Sequence, residues 1–232
     1  MSSATEIIKK AQGEGRAILT EMESKQLLRS LGIATTEMRL ATSEKEAVDH
    51  SREIGYPCVL KVSSPDITHK SDAGGVKVGL ANEVEVAQAY QAIMSACREK
   101  FPDAVIEGVT VQNMARPGLE VIVGMATDPQ FGPVLMFGLG GVWVEVLKDV
   151  SFKIVPLTKH DARSAIREIR AAALLDGFRG SDPVDTGALE DILLRVSEFA
   201  AKTPEVREMD LNPIFAYPDG AIAVDARVIL GE

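Results

Sequence analysis

The feature that most constrains the fold is a series of short β-rich runs that begins near Val109. Clusters of Pro, Gly and Asp interrupt these runs at 115–118, 128–129 and 138–141, where the chain is expected to turn. Short runs of β-forming residues joined by turns are typical of an antiparallel sheet. The runs are GVTVQNM, LEVIVGMA, VLMFG, VWVEVL and FKIV.

The first half of the chain mixes helix signals with two strand-like runs. Capping residues precede amphipathic stretches at Thr20, Ser43 and Asn82, and the runs CVLKV and GGVKVGL are typical of strands. We therefore predict the α+β class, with a smaller α/β lobe at about 18–109 and a larger antiparallel-sheet lobe at about 110–232. No linker or repeat separates the lobes, so we expect the whole chain to form one unit with a ligand-binding cleft between them.

Composition excludes several classes of protein. The chain has 46% hydrophobic and 25% charged residues, as soluble globular proteins do, and no apolar run approaches the roughly 20 residues of a membrane helix. The formal net charge is -9 and the basic residues are scattered, which argues against a duplex nucleic-acid binder. The N-terminus has no apolar signal core, so we expect a cytoplasmic protein. Cys58 and Cys97 stand in apolar contexts and are expected to be buried thiols.

The chain ends in a predicted hairpin with an acidic face. Glu208, Asp210 and Asn212 alternate along the first strand and therefore share a face, and Asp225 is expected on the partner strand after a turn at 217–220. Such oxygen ligands suit Mg²⁺ or Mn²⁺. A polar face exposed to water is the alternative. Carboxylates placed side by side, however, repel one another unless a cation or solvent separates them.

A polar loop within the run KVSSPDITHKSDAGGV connects the two strands of the first lobe. Lys61 follows three apolar residues, where a lysine is costly to bury unless it meets an anion. Gly74 and Gly75 lack a Cβ and can bring backbone N–H groups close to a phosphate, although a glycine pair also occurs in plain turns. His69 has an ordinary pKa near ~6.5 and can accept a phosphoryl group as a nucleophile. A solvated loop histidine is the alternative.

A third candidate site spans a strand end and the turn after it. Gln112, Asn113 and Met114 can pair with an adenine edge through their backbone groups, and Glu120 can reach a ribose. From spacing alone, an edge strand followed by a turn is the simpler interpretation.

Several of these motifs, in this order, resemble the ATP-grasp β subunit of ADP-forming acyl-CoA synthetases. The resemblance rests on KVSSPDITHKSDAGGVKVGL, on the run from VQNMARPGLE to VSFKIVPL, and on EMDLNPIFAYPDGAIAVDAR, and it extends from about Glu14 to the end of the chain. It implies the ATP-grasp fold, with ATP or ADP held in the cleft between two lobes. The implied contacts are Lys61, Gly74 and Gly75 for the phosphates; Gln112, Asn113 and Met114 for adenine; Glu120 for ribose; and Asn212 and Asp225 for Mg²⁺, to which the hairpin pattern adds Glu208.

The resemblance also gives His69 and Asp210 catalytic roles. His69 matches the histidine of an HKSD motif that takes phosphate during transfer between a histidine of an α subunit and the nucleotide, and Asp210 matches an acid that orients it. The implied reaction is acyl-CoA + ADP + phosphate ⇌ carboxylate + CoA + ATP. The α subunit would carry the CoA and acyl sites, since no GxGxxG follows a strand here, and an α2β2 assembly is expected.

Three rival interpretations remain at this stage. A succinyl-CoA synthetase β subunit is disfavoured because that subunit carries a further C-terminal domain. A noncatalytic nucleotide sensor and a purely structural subunit are disfavoured because His69, Asn212 and Asp225 are all present. The sequence leaves open the acid that is activated, the physiological direction and the preference for ADP or GDP.

Overall fold

The computed structural model describes residues 3–67, 70–141 and 146–231. Contacts between Cα atoms divide the chain into a large unit, residues 1–35 with 117–232, and a small unit, residues 36–116. The predicted boundary between the lobes at 109/110 is wrong, because the run GVTVQNM forms a strand of the small unit and the large unit resumes only at 117. The predicted division also differs at the N-terminus. The reason is that the first two helices, α1 (Ala4–Gly13) and α2 (Glu21–Ser30), pack into the core of the large unit through Ile7, Ile8, Leu27 and Leu28.

The small unit is a four-stranded antiparallel sheet with two helices. Its elements are β1 (Met38–Ala41), α3 (Glu44–Ile54), β2 (Cys58–Ser63), β3 (Val76–Leu80), α4 (Glu83–Lys100) and β4 (Gly108–Asn113), and the strand order is β1-β4-β2-β3. Alternation along β2 and β4 directs Leu60, Val62, Val109 and Val111 into a core that also contains Ile93 of α4. The two cysteines lie fully buried in this core, as predicted.

The large unit is built on a six-stranded antiparallel sheet. Its strands are β5 (Leu119–Asp128), β6 (Gly132–Leu139), β7 (Val150–Ile154), β8 (Val206–Tyr217), β9 (Gly220–Ala223) and β10 (Arg227–Leu230). The order is β10-β8-β5-β6-β7, and β9 pairs with β8. The helices α5 (Lys159–Glu168) and α6 (Thr186–Lys202), with a short 3-10 turn at Ala172–Leu174, complete the unit. Its core is continuous from α1 to β10.

Helix boundaries follow the capping signals of the sequence. The side chains of Thr20, Ser43 and Asn82 each accept a hydrogen bond from the backbone N–H three residues later, which satisfies a group that the first turn leaves unpaired. Gly32 adopts φ 78° just after α2 ends, the left-handed conformation that glycine tolerates. The predicted run VWVEVL falls mostly outside the described residues, and its last two residues, Val146 and Leu147, do not lie in a strand.

The closing hairpin is confirmed, but its second arm is interrupted. Both β9 and β10 pair with β8, and the chain leaves the sheet between them at 224–226. Asp225 therefore lies in this break and not on a strand, contrary to the prediction. The cause is a bulge that Asn212 and Pro213 form in β8 against β5. The second arm of the hairpin follows this bulge and leaves the sheet at the same level. Within the described ranges, no helix combines the length and hydropathy needed to cross a membrane.

Candidate nucleotide and metal site

The acidic face of β8 is formed as predicted. Glu208, Asp210 and Asn212 are exposed, whereas the residues between them, Met209 and Leu211, are buried in the core. The sheet register places Asp210 between Gly124 of β5 and Arg227 of β10, and Glu208 between Ala126 and Ile229. Glu208 therefore lies on the side of Asp210 that points away from Asn212.

Asp225 is brought to this face by the bulge. Val224 N donates a hydrogen bond to Pro213 O at 2.9 Å, which fixes the break in the second arm beside Asn212. Asp225 Oδ1 accepts from the N–H of Ala226 at 2.8 Å, so its carboxylate is held in one orientation by its own backbone. The two arms of the hairpin thus bring the amide of Asn212 and the carboxylate of Asp225 to the same part of this face.

The electrostatics of the face show that its acids interact. Although the Asp210 residue is exposed on one side, the protein atoms around its carboxylate desolvate it and raise its pKa; the negative charge of Asp225 raises the pKa further, and the positive charge of Arg227 opposes both effects. A carboxylate that is penalised by a neighbouring carboxylate gains most from a bound cation. No group of three or more His, Cys, Asp or Glu side chains among the described residues could hold a metal by itself.

The donor set nevertheless fits Mg²⁺ bound together with a nucleotide. Magnesium usually takes one or two carboxylates from the protein and completes its octahedral shell with substrate phosphates and water. Asn212 and Asp225, with Asp210 beside them, offer hard oxygen ligands of this kind.

The small unit carries a row of buried polar groups on the face of its sheet opposite its core. Lys61, Thr110 and Gln112 are 8%, 3% and 2% exposed. Cross-strand pairing of Lys61 with Thr110 puts all three on one face. Gln112 Nε2 donates to Thr110 Oγ1 at 3.0 Å, and Thr110 Oγ1 donates to Lys61 O at 3.3 Å. These hydrogen bonds fix the backbone at Lys61, from which its side chain extends. Thr110 was not predicted as a site residue, because a buried threonine on a strand gives no signal of its own in the sequence.

The end of β4 holds the residues predicted to bind adenine. The N–H groups of Asn113 and Met114 donate to Glu37 O at 3.2 Å and Pro57 O at 3.3 Å, so these two donors serve the fold. The side-chain oxygen of Asn113 is buried and has no hydrogen-bond partner within the described part of the chain. A buried acceptor without a donor is costly, and the amino group of an adenine is a donor that would satisfy it.

The loop after β2 is tied down on both sides of His69, which itself lies outside the described residues. Before it, Ile67 is buried and the carboxylate of Asp66 accepts from Val105 N at 2.7 Å. After it, Lys100 Nζ donates to Asp72 O at 2.8 Å.

The glycines of this loop are accounted for by turn geometry and packing. Gly74 has φ 74°, and its N–H donates to Ser71 O at 3.0 Å. The N–H of Gly75 donates to Lys70 O at 2.8 Å, and a Cβ on Gly75 would come within 2.5 Å of Val62 Cγ1. Both N–H groups, which were predicted to face a phosphate, are used within the loop.

Glu120, the predicted ribose ligand, lies at the start of β5 beside a second glycine pair. Gly140 N donates to Glu120 O at 2.8 Å, and a Cβ on Gly140 would come within 2.9 Å of Glu120 Cβ. Gly141 adopts φ 61°, and a Cβ there would lie 3.2 Å from Glu120 Oε2. The sequence interpretation treated 138–141 only as a turn. The GLGG run after an apolar strand is the sequence feature that could have indicated a close approach of the chain to a functional side chain.

A family model described as the ATP-grasp domain matches residues 10–230. The chain belongs to the ATP-grasp family. This confirms the predicted family and the α+β ATP-grasp fold. This ATP-grasp chain is 54% identical over 230 residues to "Acetate--CoA ligase [ADP-forming] I subunit beta" of Pyrococcus furiosus, and the match covers 99% of each chain.

Two further relatives extend the comparison. The ATP-grasp chain is 48% identical to "Acetate--CoA ligase [ADP-forming] I" of Archaeoglobus fulgidus, a match that covers 99% of this chain but 33% of that one. Structures of acetyl-coenzyme A synthetase 1 of Ca. Korarchaeum cryptofilum also match. One contains coenzyme A and Ca-AMPCP, with TM-score 0.96, 51% identity and coverage of 98% and 100%. Another contains coenzyme A and Mg-AMPPCP, with its phosphohistidine segment pointing towards the nucleotide site, with TM-score 0.87, 48% identity and the same coverage.

Proposed function

We propose that this chain is the nucleotide-binding, phosphoryl-transferring β subunit of an ADP-forming acyl-CoA synthetase. The reaction is acyl-CoA + ADP + phosphate ⇌ carboxylate + CoA + ATP. The observation that carries the proposal is the end-to-end match with a curated β subunit at 54% identity, which leaves neither chain with an unmatched domain.

The chain acts together with an α subunit that carries the CoA and acyl sites. Two observations support this: the Pyrococcus relative is named as one subunit of its enzyme, and the Archaeoglobus relative is a single polypeptide of which this chain matches a third. An α2β2 stoichiometry is part of the proposal. The acid is acetate or another carboxylate, which the α subunit selects.

The small unit contributes the groups that hold the nucleotide. Lys61 extends from a buried polar row, and the positive charge of its side chain suits a nucleotide phosphate. Asn113 offers its buried carbonyl oxygen to the adenine amino group, and Gln112 and Met114 line the same strand end. Gly74 and Gly75 shape the loop that closes over the phosphates.

The large unit contributes the groups that hold the ribose and the metal. Glu120, supported by Gly140 and Gly141, accepts hydrogen bonds from ribose hydroxyls. Asn212 and Asp225 ligate Mg²⁺, and Glu208, which lies beyond Asp210 on the same face of β8, is the third proposed ligand. The ion, when bound, neutralises charge on the phosphates, as expected for phosphoryl transfer. Calcium and magnesium complexes of nucleotide analogues in the Korarchaeum structures support this assignment.

His69 is the phosphoryl acceptor in this proposal. A neutral imidazole nitrogen attacks the γ-phosphorus of ATP, the bond from that phosphorus to the bridging oxygen breaks, and ADP leaves. The phosphoryl group then passes to a histidine of the α subunit, and the sequence runs in reverse when ATP is made. Asp210 is the acid that orients and supports this histidine in the proposal, and a carboxylate in that role sets the tautomer of an imidazole and stabilises its charged form.

Reconstitution of the two subunits tests this function. The purified chain and the α subunit of the same organism are mixed with acetyl-CoA, ADP, phosphate and Mg²⁺, and ATP formation is followed. We expect ATP from the mixture and none from either subunit alone. Two folded subunits that associate but form no ATP with acetyl-CoA, or with a panel of branched-chain and aryl acyl-CoA substrates, would contradict the proposal.

A further inference from the structure

Large apolar side chains are exposed on one side of the large unit. Phe131 and Phe152 are 60% exposed and Ile154 is 56% exposed. In the sheet register, Phe152 pairs with Met136 and Ile154 pairs with Val134, both half-buried, so the four side chains share one face. Phe131 precedes β6 in a turn adjacent to the end of β7, where Val155 N donates to Pro133 O at 3.0 Å. We name these five residues the β7 surface.

The β7 surface lies at the edge of the sheet. β7 is the last strand of the order β10-β8-β5-β6-β7, and among the residues described it pairs with β6 only. The side chain of Lys153, which could protect such an edge, is directed to the other face, where its Nζ donates to Glu168 Oε1 at 2.7 Å. An exposed edge strand is a template for pairing with another chain, and a large exposed apolar patch marks an interaction site.

The area of the β7 surface matches the apolar centre of one protein–protein interface. A phenylalanine offers about 150–250 Å², so the two phenylalanines and the isoleucine together expose roughly 300–400 Å². A standard interface covers about 800 Å² on each partner, of which about 57% is apolar. The half-buried valine and methionine supply most of the remainder.

The β7 surface is continuous with the acidic face of β8. Asp210 pairs with Gly124, Gly124 with Met136, and Met136 with Phe152, so one row crosses four strands on a single face. The next row runs from Glu208 through Ala126 and Val134 to Ile154. With strands about 4.8 Å apart, Phe152 lies about 14 Å from Asp210. A protein that covers the β7 surface therefore reaches the acidic face.

We propose that the β7 surface is the docking site of the α subunit, and that docking there delivers the phosphohistidine of that subunit to the acidic face. This inference rests on the proposed function, in which the phosphoryl group is exchanged between this chain and a histidine of the α subunit. The complementary surface is apolar, with basic side chains on the side that faces Glu208 and Asp210. The net charge of -9 and the acidic row disfavour a second copy of this chain as the occupant.

The test compares a double variant, Phe152→Glu with Ile154→Glu, with the wild-type chain. The matched control is Val78→Glu with Val84→Glu, because these two valines of the small unit are each 66% exposed. Affinity for the α subunit is measured by calorimetry, binding of Mg-ADP is measured on each chain alone, and sedimentation gives the oligomeric state of each chain alone. We expect the double variant to bind the α subunit at least about 30-fold more weakly, as for loss of a central contact, and both variants to bind Mg-ADP as the wild type does.

Each other outcome overturns the inference in a distinguishable way. A double variant that binds the α subunit as tightly as the wild type overturns the docking site and leaves the proposed function intact if the mixture still forms ATP. Loss of Mg-ADP binding with unchanged α affinity assigns the surface to the nucleotide. A wild-type dimer that the variant converts to a monomer, with α affinity unchanged, assigns it to self-association. A wild-type chain that neither binds the α subunit nor forms ATP with it removes the proposed function itself.

Discussion

Asp210 lies close enough to Asp225 for the negative charge of Asp225 to raise its pKa, in addition to the larger rise that burial causes. Asp210 is on β8, whereas Asp225 lies in the break between β9 and β10. The bulge at Asn212 and Pro213 is what brings the two arms together at this point. A cation bound here would relieve the repulsion, which supports the proposed metal site.

Asp225→Asn should therefore weaken binding of the magnesium nucleotide specifically. We expect the Kd for Mg-ADP to rise about tenfold, equivalent to about 1.4 kcal/mol, because one anionic ligand is lost. Binding of ADP without metal should not weaken, since a negative charge near the phosphates has been removed. Calorimetry with and without Mg²⁺ measures both values. Asp103→Asn, an exposed acid of the small unit, is the control and should change neither; equal weakening with and without metal would contradict a metal ligand.

A second prediction concerns the pH dependence of folding. Burial tends to raise the pKa of Glu23, but hydrogen bonds from Arg16 and from the backbone of Thr20 outweigh it, and the pKa is lowered. Both carboxylate oxygens of Glu23 accept from Arg16, each at 2.8 Å. A lowered pKa in the folded state gives stability that is complete above the unfolded value of about 4.3 and is lost as pH falls through the folded value.

Glu23→Gln should accordingly destabilise the protein by about 2 kcal/mol at pH 7, the usual contribution of hydrogen bonds to a charged group in a part-buried pair. The difference from the wild type should shrink as pH falls below about 4.3, because the carboxyl is then protonated in the unfolded chain while it is still ionised in the folded one. Urea unfolding between about pH 2 and pH 7 measures it, a range that extends below the lowered pKa of the folded state. Glu198→Gln removes an exposed pair with Lys202 and should have no measurable effect. A loss of stability in Glu23→Gln that does not depend on pH would contradict a stabilising role of the negative charge of Glu23.

Gly75→Ala should destabilise the small unit, because the new Cβ would meet Val62 Cγ1 at 2.5 Å and Lys70 O at 3.0 Å. Overpacking of this kind costs about 1–3 kcal/mol. It should also weaken Mg-ADP binding if the loop after β2 closes over the phosphates. Chemical denaturation and calorimetry follow the two effects. Gly13→Ala at the end of α1, where a Cβ meets nothing within 4 Å, should be neutral or slightly stabilising; equal losses for both variants would refute the packing argument.

The sequence predicted the strands and caps better than it predicted which parts pack together. Capping boxes and alternation are local, so the start of α2 and the polar face of β8 could be identified from a few residues. The assignment of α1 and α2 to the large unit could not, because it depends on where Ile7 and Leu27 find a core far along the chain. Hydrophobic periodicity shows that a helix has a buried face but not what covers it.

The chemistry of the candidate site was likewise easier to predict than its geometry. Motifs identified Asn212 and Asp225 as oxygen ligands, but the bulge that moves Asp225 off its strand results from pairing among three strands. Gly75 was noticed as a residue without a Cβ, while its actual constraint, contact with Val62, is visible only in the folded loop. The support of Glu120 by Gly140 joins residues twenty positions apart and was missed for the same reason.

If His69 carries a phosphoryl group during turnover, that group can be labelled and located. The purified chain is incubated with Mg²⁺ and γ-labelled ATP, with and without the α subunit, and the phosphate is assayed by intact mass and by its stability in acid and alkali. His69→Ala is compared with His160→Ala, a histidine in the first turn of α5. We predict an acid-labile, alkali-stable phosphate on this chain that disappears in His69→Ala and persists in His160→Ala. Full phosphorylation of His69→Ala, together with full turnover with the α subunit, would contradict a role of His69 as the phosphoryl carrier.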